Sequence, residues 1–119
     1  MGWFQEKYKL YRRYGPARGG YLIYIFKSLW INCLRKEQIF RWTNQVLWIA
    51  NRNFQSSKNP WYFGITEQAE FTLLCEILHP GDTFYDIGAN TGLYSHFLAG
   101  HKDVYCIQFE PDEDAAAFS

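Results

Sequence analysis

The chain has 119 residues, a length that predicts at most one domain, and its 48% hydrophobic and 20% aromatic content excludes an intrinsically disordered protein. Its net charge is zero, but residues 1–60 carry 11 Lys and Arg against two acids, a net +9, whereas residues 61–119 carry Lys102 against ten acids, a net −9. This asymmetry predicts a basic contact surface or mutual attraction between the halves, with a solvated basic face as the simpler alternative.

The three cysteines and three histidines show neither a Cys-x-x-Cys motif nor the spacing of metal ligands. Cys33, Cys75 and Cys106 each lie in apolar sequence, which predicts buried thiols in a reducing cytoplasm and argues against a disulfide framework or a zinc site. We therefore expect no bound metal and a cytoplasmic location, with a peripheral place at the inner face of the membrane as the alternative.

Residues 1–18 are basic and rich in tyrosine, and Gly15-Pro16 predicts a break in their structure. No continuous apolar core with a small-residue cleavage site follows, so this segment is unlike a secretory signal.

The next segment, Tyr21 to Leu34, is strongly apolar and predicts a helix. One predicted face consists of Leu22, Ile25, Phe26, Leu29 and Cys33. Fourteen residues that include Lys27 and Asn32 are too short and too polar to span a bilayer. Two interpretations remain open: a helix packed in the fold, which we favour, and a helix lying in a membrane interface, anchored by aromatic residues and flanked by basic ones.

Helical spacing continues from Glu37 to Ala50, where apolar residues form a second predicted stripe, namely Ile39, Trp42, Val46 and Ile49. Residues 51–60 are polar and end in Asn-Pro, which indicates a loop, and the aromatic residues 61–65 predict an extended segment. Residues 1–60 are therefore interpreted as a basic, aromatic-rich helical N-terminal region, and residues 61–119 as the start of a second domain.

The second half alternates helices and strands. An N-cap at Thr66 opens a predicted helix over Glu67–Leu78, and His79-Pro80-Gly81 ends it. A buried strand is predicted over Thr83–Ile87, followed by a loop over residues 88–92, a helix over residues 93–99, a second strand over residues 104–109, and a further helix after Pro111. This strand–helix alternation predicts an α/β fold.

Two acids lie where ligands bind in such folds. Asp86 is near the carboxyl end of the first strand, and Glu110 closes the second strand about 20 residues after the glycine loop, the usual separation of a ribose-binding carboxylate. The simpler alternative is that Asp86 and Asn90 cap the following helix while the glycines only form the turn. Glu67 and Glu70 could also approach a ligand, although the dipole of their own helix explains them adequately.

The pattern Asp86-x-Gly88-x-Asn90-x-Gly92 is similar to the first motif of class I S-adenosylmethionine (SAM)-dependent methyltransferases. More narrowly, residues 81–95 together with Phe109-Glu110-Pro111 resemble the FkbM family of methyltransferases. The resemblance covers residues 62–119. It implies a Rossmann-like fold, of which the chain supplies the first two strands, with SAM as cofactor. It also implies cofactor-binding roles for the loop and for the acid that closes the second strand, namely Asp86, Gly88, Ala89, Asn90, Gly92 and Glu110.

The resemblance further implies transfer of a methyl group to an oxygen of a sugar or natural-product hydroxyl, so the expected acceptor is a small molecule or a glycan. No catalytic residue can be named. Because the seven-stranded sheet of such enzymes is incomplete, we expect an amino-terminal fragment that is inactive alone.

The rival hypothesis is a non-catalytic module that binds a membrane surface or a protein partner through its basic half and keeps the loop as a vestige. A nucleic-acid role is not expected, since no recognised module is visible. A dehydrogenase is also disfavoured, because Asn90 and Leu93 replace two glycines of the dinucleotide fingerprint.

Overall fold

The computed structural model describes Gly2, Gln5, Tyr8 and residues 20–119; the predicted break at Gly15-Pro16 lies outside these described residues. The chain divides into two compact units. The first comprises Met1–Trp42 and Trp48–Thr66, and the second comprises Thr43–Leu47 and Glu67–Ser119. The boundary predicted after residue 60 falls within a helix of the first unit.

The described residues form five α-helices, one π-helix and four strands. In chain order these are α1 (Gly20–Leu29), a π-helix (Trp30–Leu34), β1 (Glu37–Arg41), β2 (Leu47–Asn51), α2 (Gln55–Phe63), α3 (Gln68–Ile77), β3 (Thr83–Ile87), α4 (Leu93–His101), β4 (Tyr105–Phe109) and α5 (Glu113–Phe118). The predicted α/β class is confirmed at this level, with two sheets of two strands each, β1–β2 and β3–β4. Across the part of the chain that is described, every helix is too short or too polar to cross a bilayer.

The helix predicted over residues 37–50 is wrong, because this segment folds back on itself as two strands. The turn between β1 and β2 is closed by reciprocal backbone hydrogen bonds between Thr43 and Val46. The predicted stripe is thereby divided: Trp42 and Val46, at the ends of the turn, are buried, whereas Ile39 in β1 and Ile49 in β2 are exposed. The N-terminal region is therefore not wholly helical.

The loop predicted over residues 51–60 and the extended segment over residues 61–65 are also wrong, since α2 covers most of both. The hydroxyl of Ser57 is fully buried, donates to the carbonyl of Phe54 at 2.7 Å and accepts the Asn51 N–H at 2.9 Å. These bonds and the burial of Tyr62 stabilise a helix that Pro60 alone disfavours.

The core of the first unit is aromatic. Its fully buried residues are Tyr24, Ile31, Ala50 and Tyr62, and the ring of Tyr24 meets that of Tyr62 edge-on with centroids 5.1 Å apart. The core-facing side of α1 is therefore formed by Tyr24, Ser28 and, in the π-helix, Ile31. Much of the predicted apolar face points the other way, since Leu22 is 81% exposed and Phe26 is 62% exposed, whereas Ile25 of the same predicted face packs against the core. Cys33 is exposed too, contrary to the predicted burial.

A buried polar network explains which side of α1 faces inward. The side-chain amide of Asn32 donates to the Ser28 carbonyl at 2.8 Å and lies 3.1 Å from the Tyr62 hydroxyl. The Nζ of Lys58, itself buried, donates to the Asn32 side-chain oxygen at 3.2 Å. Because buried polar groups require partners, this network favours turning Ser28 and Asn32 towards α2.

In the second unit, β3 and β4 run parallel, with Asp86 opposite Gln108 and Ile87 opposite Phe109. The predicted bounds of β3 are confirmed, β4 begins one residue later than predicted, and α4 extends two residues further. Helix α3 packs on α4 through the buried Phe71, whose ring stacks on Phe97 at 4.0 Å. The predicted N-cap at Thr66 is replaced by Glu67.

The β3–β4 sheet has one covered and one exposed face. Asp86 is buried on the α4 side, where the Cys106 thiol contacts the Ser95 carbonyl at 3.6 Å. On the opposite face, each large apolar residue is at least about two-fifths exposed, namely Tyr85, Ile87, Tyr105, Ile107 and Phe109. Parallel sheets are usually covered on both faces, so this side of the sheet is unusually open for its type.

Candidate functional site

The loop between β3 and α4 is a tight turn, and at three positions with a positive φ the sequence has glycine or asparagine. Gly88, Asn90 and Gly92 have φ angles of 75°, 52° and 82°, in the left-handed region that glycine and asparagine tolerate best. The N–H groups of Gly88 and Ala89 both donate to the carbonyl of Phe109, at 2.8 and 3.2 Å. The loop is therefore fastened to the carboxyl end of the neighbouring strand.

Gly88 and Gly92 have different surroundings. A Cβ added at Gly88 would have no heavy atom within 4 Å, so the space above it is open. A Cβ added at Gly92 would lie 2.6 Å from Nε2 of Gln108 and 3.1 Å from Cβ of Ser119. Gly92 is thus required by packing inside the protein, whereas Gly88 leaves room for the close approach of a ligand.

Asp86 is 8% exposed and accepts a 2.7 Å hydrogen bond from the hydroxyl of Ser95 in the first turn of α4. The carboxylate thereby ties the strand to the helix beyond the loop. Sequence reasoning did not single out Ser95; the available signal was a hydroxyl residue in the first turn of the helix that follows an acidic strand end. Asp86 thus has a structural partner inside the protein, but the predicted capping of this helix by Asp86 and Asn90 is wrong, because the N-cap is Gly92 and no side chain caps the helix.

Glu110 holds two separate backbone segments. One carboxylate oxygen accepts the N–H of Asn90 at 2.6 Å, and the other accepts the N–H of Asp112 at 2.9 Å. A carboxylate has about four acceptor positions, so each oxygen keeps capacity for a further donor. Glu110 is half-buried, which leaves this capacity open to a ligand beside the loop.

Further acids lie close to the start of α4. Burial raises the pKa of Tyr94, and the nearby carboxylates of Glu67, Glu70 and Asp86 raise it further. These acids therefore lie near enough to act on the Tyr94 phenol, which also packs edge-on against Phe71 with centroids 5.0 Å apart. The sequence did not predict this position of Tyr94 near Glu67, Glu70 and Asp86, which is a finding of the structure.

The site is acidic and poor in oxyanion-binding groups. In residues 43–47 and 67–119, Lys102 is the single Lys or Arg, and it follows the carboxyl end of α4, about 14 Å from the loop at 1.5 Å per residue. The N–H groups of Gly88, Ala89, Asn90 and Gly92 all donate to protein oxygens. These four N–H groups are therefore engaged within the protein and are not available to an oxyanion, and the neighbouring acids would repel a phosphate.

The arrangement suits a ligand that carries hydroxyl donors and positive charge. Glu110 can accept hydrogen bonds from a vicinal diol, and the neighbouring acids favour a cation over an anion. Among the described residues, no group of three or more His, Cys, Asp and Glu side chains is placed to hold a metal ion. Of the six predicted site residues, Asn90 bonds to Glu110 and Gly92 bonds to the Ala89 carbonyl, while Gly88 and Ala89 share the Phe109 carbonyl. Asp86 is buried and bonds instead to Ser95.

Comparison of the chain with models of protein families, with curated proteins and with solved structures gives no match in any of the three.

Proposed function

We propose that the second unit binds S-adenosylmethionine and serves the transfer of its methyl group. The observation that carries the proposal is the Glu110 carboxylate, held at 2.6 Å from the N–H of Asn90 at the end of the strand next to the glycine loop. In this position the carboxylate can accept hydrogen bonds from both hydroxyls of a ribose whose adenine base lies over Gly88. The nucleoside would approach the backbone at Gly88, where the structure leaves the space open.

The charge of the site separates SAM from nucleotides, which carry phosphate groups. SAM carries a sulfonium and an ammonium, which Glu67, Glu70 and Asp86 would stabilise electrostatically, and it lacks the phosphates that these acids would repel. The same argument disfavours a nicotinamide dinucleotide, whose pyrophosphate requires the N–H groups that the loop uses internally. The β3–α4–β4 arrangement is therefore proposed to be part of a Rossmann-like sheet of the methyltransferase type.

When bound, SAM supplies an electrophilic methyl group on its sulfonium sulfur. The residues of this chain would hold and orient it: Glu110 by the ribose and the loop by close packing at Gly88. Such positioning and electrostatic stabilisation account for most of the catalysis expected in methyl transfer. The acceptor is proposed to be the hydroxyl of a small molecule or glycan. This part of the proposal rests only on the resemblance of residues 81–95 to the FkbM motif.

Calorimetric titration of the chain with SAM tests the proposal. We expect Glu110→Ala to weaken binding by at least about 10- to 100-fold, because each of the two hydrogen bonds that its carboxylate would accept contributes about 1.5–3 kcal/mol. Glu110→Gln keeps an acceptor for the Asn90 N–H and should lose less affinity. Asp103→Ala is the matched control, since Asp103 is exposed just before the amino end of the same strand, about 20 Å from Glu110 at 3.3 Å per residue.

Two results would contradict the proposal. One is a folded wild-type chain that gives no heat with millimolar SAM or with its demethylated product. The other is an equal loss of affinity in the Asp103→Ala and Glu110→Ala variants, which would place the ligand elsewhere. Circular dichroism of each variant excludes loss of folding as the cause.

A further inference from the structure

The first unit exposes an apolar stripe on the side of α1 that faces away from the core. Its members are Leu22, Phe26, Leu29 and Leu34, which are 81%, 62%, 43% and 69% exposed. The spacing of the first three, i, i+4 and i+7, places them on one side of an α-helix. This surface, called the outer stripe below, is opposite the buried side formed by Tyr24 and Ser28.

The π-helix extends the outer stripe by one side chain. Arg35 donates its N–H to the carbonyl of Trp30 at 2.8 Å, five residues back, as π-helical geometry requires. Because π-helical partners are five positions apart, the wider turn brings Leu34 back towards the side of the helix that carries Leu29. The stripe then runs from Leu22 to Leu34, about 18 Å along the helix at 1.5 Å per residue.

The surroundings of the outer stripe are aromatic and basic. Residues 20–36 contain no Asp or Glu, and Arg35 and Lys36 are exposed at the end of the helix. The Phe26 ring stacks on the half-buried Trp30, whose centroid lies 5.8 Å from the Arg35 guanidinium. The nearest acid in the sequence, Glu37, accepts a hydrogen bond from the Asn51 side chain at 2.8 Å.

We infer that the outer stripe is a membrane contact that lies in the plane of a bilayer rich in anionic lipid. Exposed apolar side chains along one helix face would enter the boundary between headgroups and acyl chains, as interfacial helices do. Trp30 suits that boundary because its ring is apolar and its indole N–H already donates to the Gln38 side chain at 2.9 Å, so no unpaired polar group would enter the apolar layer. Arg35 and Lys36 would attract anionic headgroups, each contributing several-fold to the affinity. The inference concerns the first unit and is independent of SAM binding.

Co-sedimentation of the 119-residue chain with phosphatidylcholine vesicles, prepared with and without phosphatidylserine, tests the inference. We expect binding that requires phosphatidylserine and weakens as salt rises. Leu22→Ser combined with Phe26→Ser should lower the partition coefficient at least about ten-fold. Arg35→Gln combined with Lys36→Gln should lower it about thirty-fold on anionic vesicles and leave phosphatidylcholine alone unaffected.

The matched control is Leu73→Ser combined with Ile77→Ser on α3. Both residues are 56% exposed and also four positions apart on a helix, but they belong to the acidic unit. This variant should bind vesicles like the wild type. Because all four residues are exposed, both double variants should keep the wild-type circular dichroism, and Leu22→Ser alone, at the most exposed position, serves if the double variant unfolds.

Three outcomes would overturn the inference. The first is no sedimentation of the wild type with anionic vesicles. The second is an equal loss in the stripe variant and the α3 control variant. The third is a dimer in analytical ultracentrifugation, without lipid, that the stripe variant abolishes; this result would assign the outer stripe to a second copy of the chain.

Discussion

Substituting alanine at Gly88 and at Gly92 separates the two reasons why this loop needs glycine. Both positions have a positive φ, of 75° and 82°, so both variants place an L side chain in a left-handed conformation. At Gly88 the added methyl group meets open space, whereas at Gly92 it meets the end of the Gln108 side chain. Gln108 cannot move aside freely, because its Oε1 accepts a 2.7 Å hydrogen bond from the hydroxyl of Ser119.

The expected magnitudes follow from these contacts. The left-handed conformation costs alanine about 1–2 kcal/mol, less about 0.4–1 kcal/mol gained by restricting the unfolded chain. Gly88→Ala should therefore reduce the free energy of unfolding by about 1 kcal/mol. Gly92→Ala adds an overpacking term of about 1–3 kcal/mol, so its total should be about 2–4 kcal/mol. Against a typical stability of about 5–15 kcal/mol, only the second change is a large fraction.

Urea unfolding followed by far-ultraviolet circular dichroism measures both losses. Tryptophan fluorescence supplies an internal reference, because the four tryptophans that the structure describes all belong to the first unit. A Gly88→Ala variant as unstable as Gly92→Ala would refute the distinction between open and packed glycines. SAM titration adds a second contrast. The Gly88 methyl group would occupy the proposed ligand space, so Gly88→Ala should weaken binding more than its small effect on stability suggests.

Two further predictions concern buried groups. Ser95→Ala removes the 2.7 Å donor to the buried Asp86 carboxylate and should cost about 1.5–3 kcal/mol of unfolding free energy, measured by urea titration; a loss below the error would mean that water replaces the hydroxyl. Burial raises the pKa of Tyr24, Tyr62 and Tyr94 above the ordinary 10.0, so the folded state favours their protonated forms. This contribution to stability is complete below about pH 10 and is lost as pH rises through the raised pKa values. The urea concentration at the unfolding midpoint should therefore decrease as pH rises above about 10. A midpoint that stays constant up to about pH 11 would contradict this prediction.

The second unit was predictable from sequence because its local signals agree. Residues 83–87 combine β-branched and aromatic residues, a glycine-rich turn follows, and the next apolar run has helical length. Each signal acts over a few residues, and the structure places β3 within the predicted bounds. The internal use of the loop N–H groups was not predictable, since it depends on the Phe109 carbonyl and the Glu110 carboxylate, both about 20 residues away.

The first unit was less predictable because its patterns are ambiguous. Ile39, Trp42, Val46 and Ile49 satisfy helical spacing, yet β1 and β2 are five residues each and a short turn between them breaks the helix period. Helix α1 is apolar on two sides, so hydrophobicity alone could not indicate which side faces the core. The orientation depends on the contact of the Asn32 side chain with the Tyr62 hydroxyl, 30 residues away, and on the hydrogen bond between the Ser28 and Tyr62 side chains.

The Glu110 carboxylate also has a mechanical meaning. Its two oxygens hold the amide of Asn90 in the loop and the amide of Asp112, the residue that caps α5 through the N–H groups of Asp114 and Ala115. Two segments 22 residues apart in sequence thus share one anchor, and a force that pulls the carboxylate towards a third donor acts on both at once. The mobility of the loop and that of the first turn of α5 should therefore change together. Both should depend on which donors the Glu110 carboxylate binds.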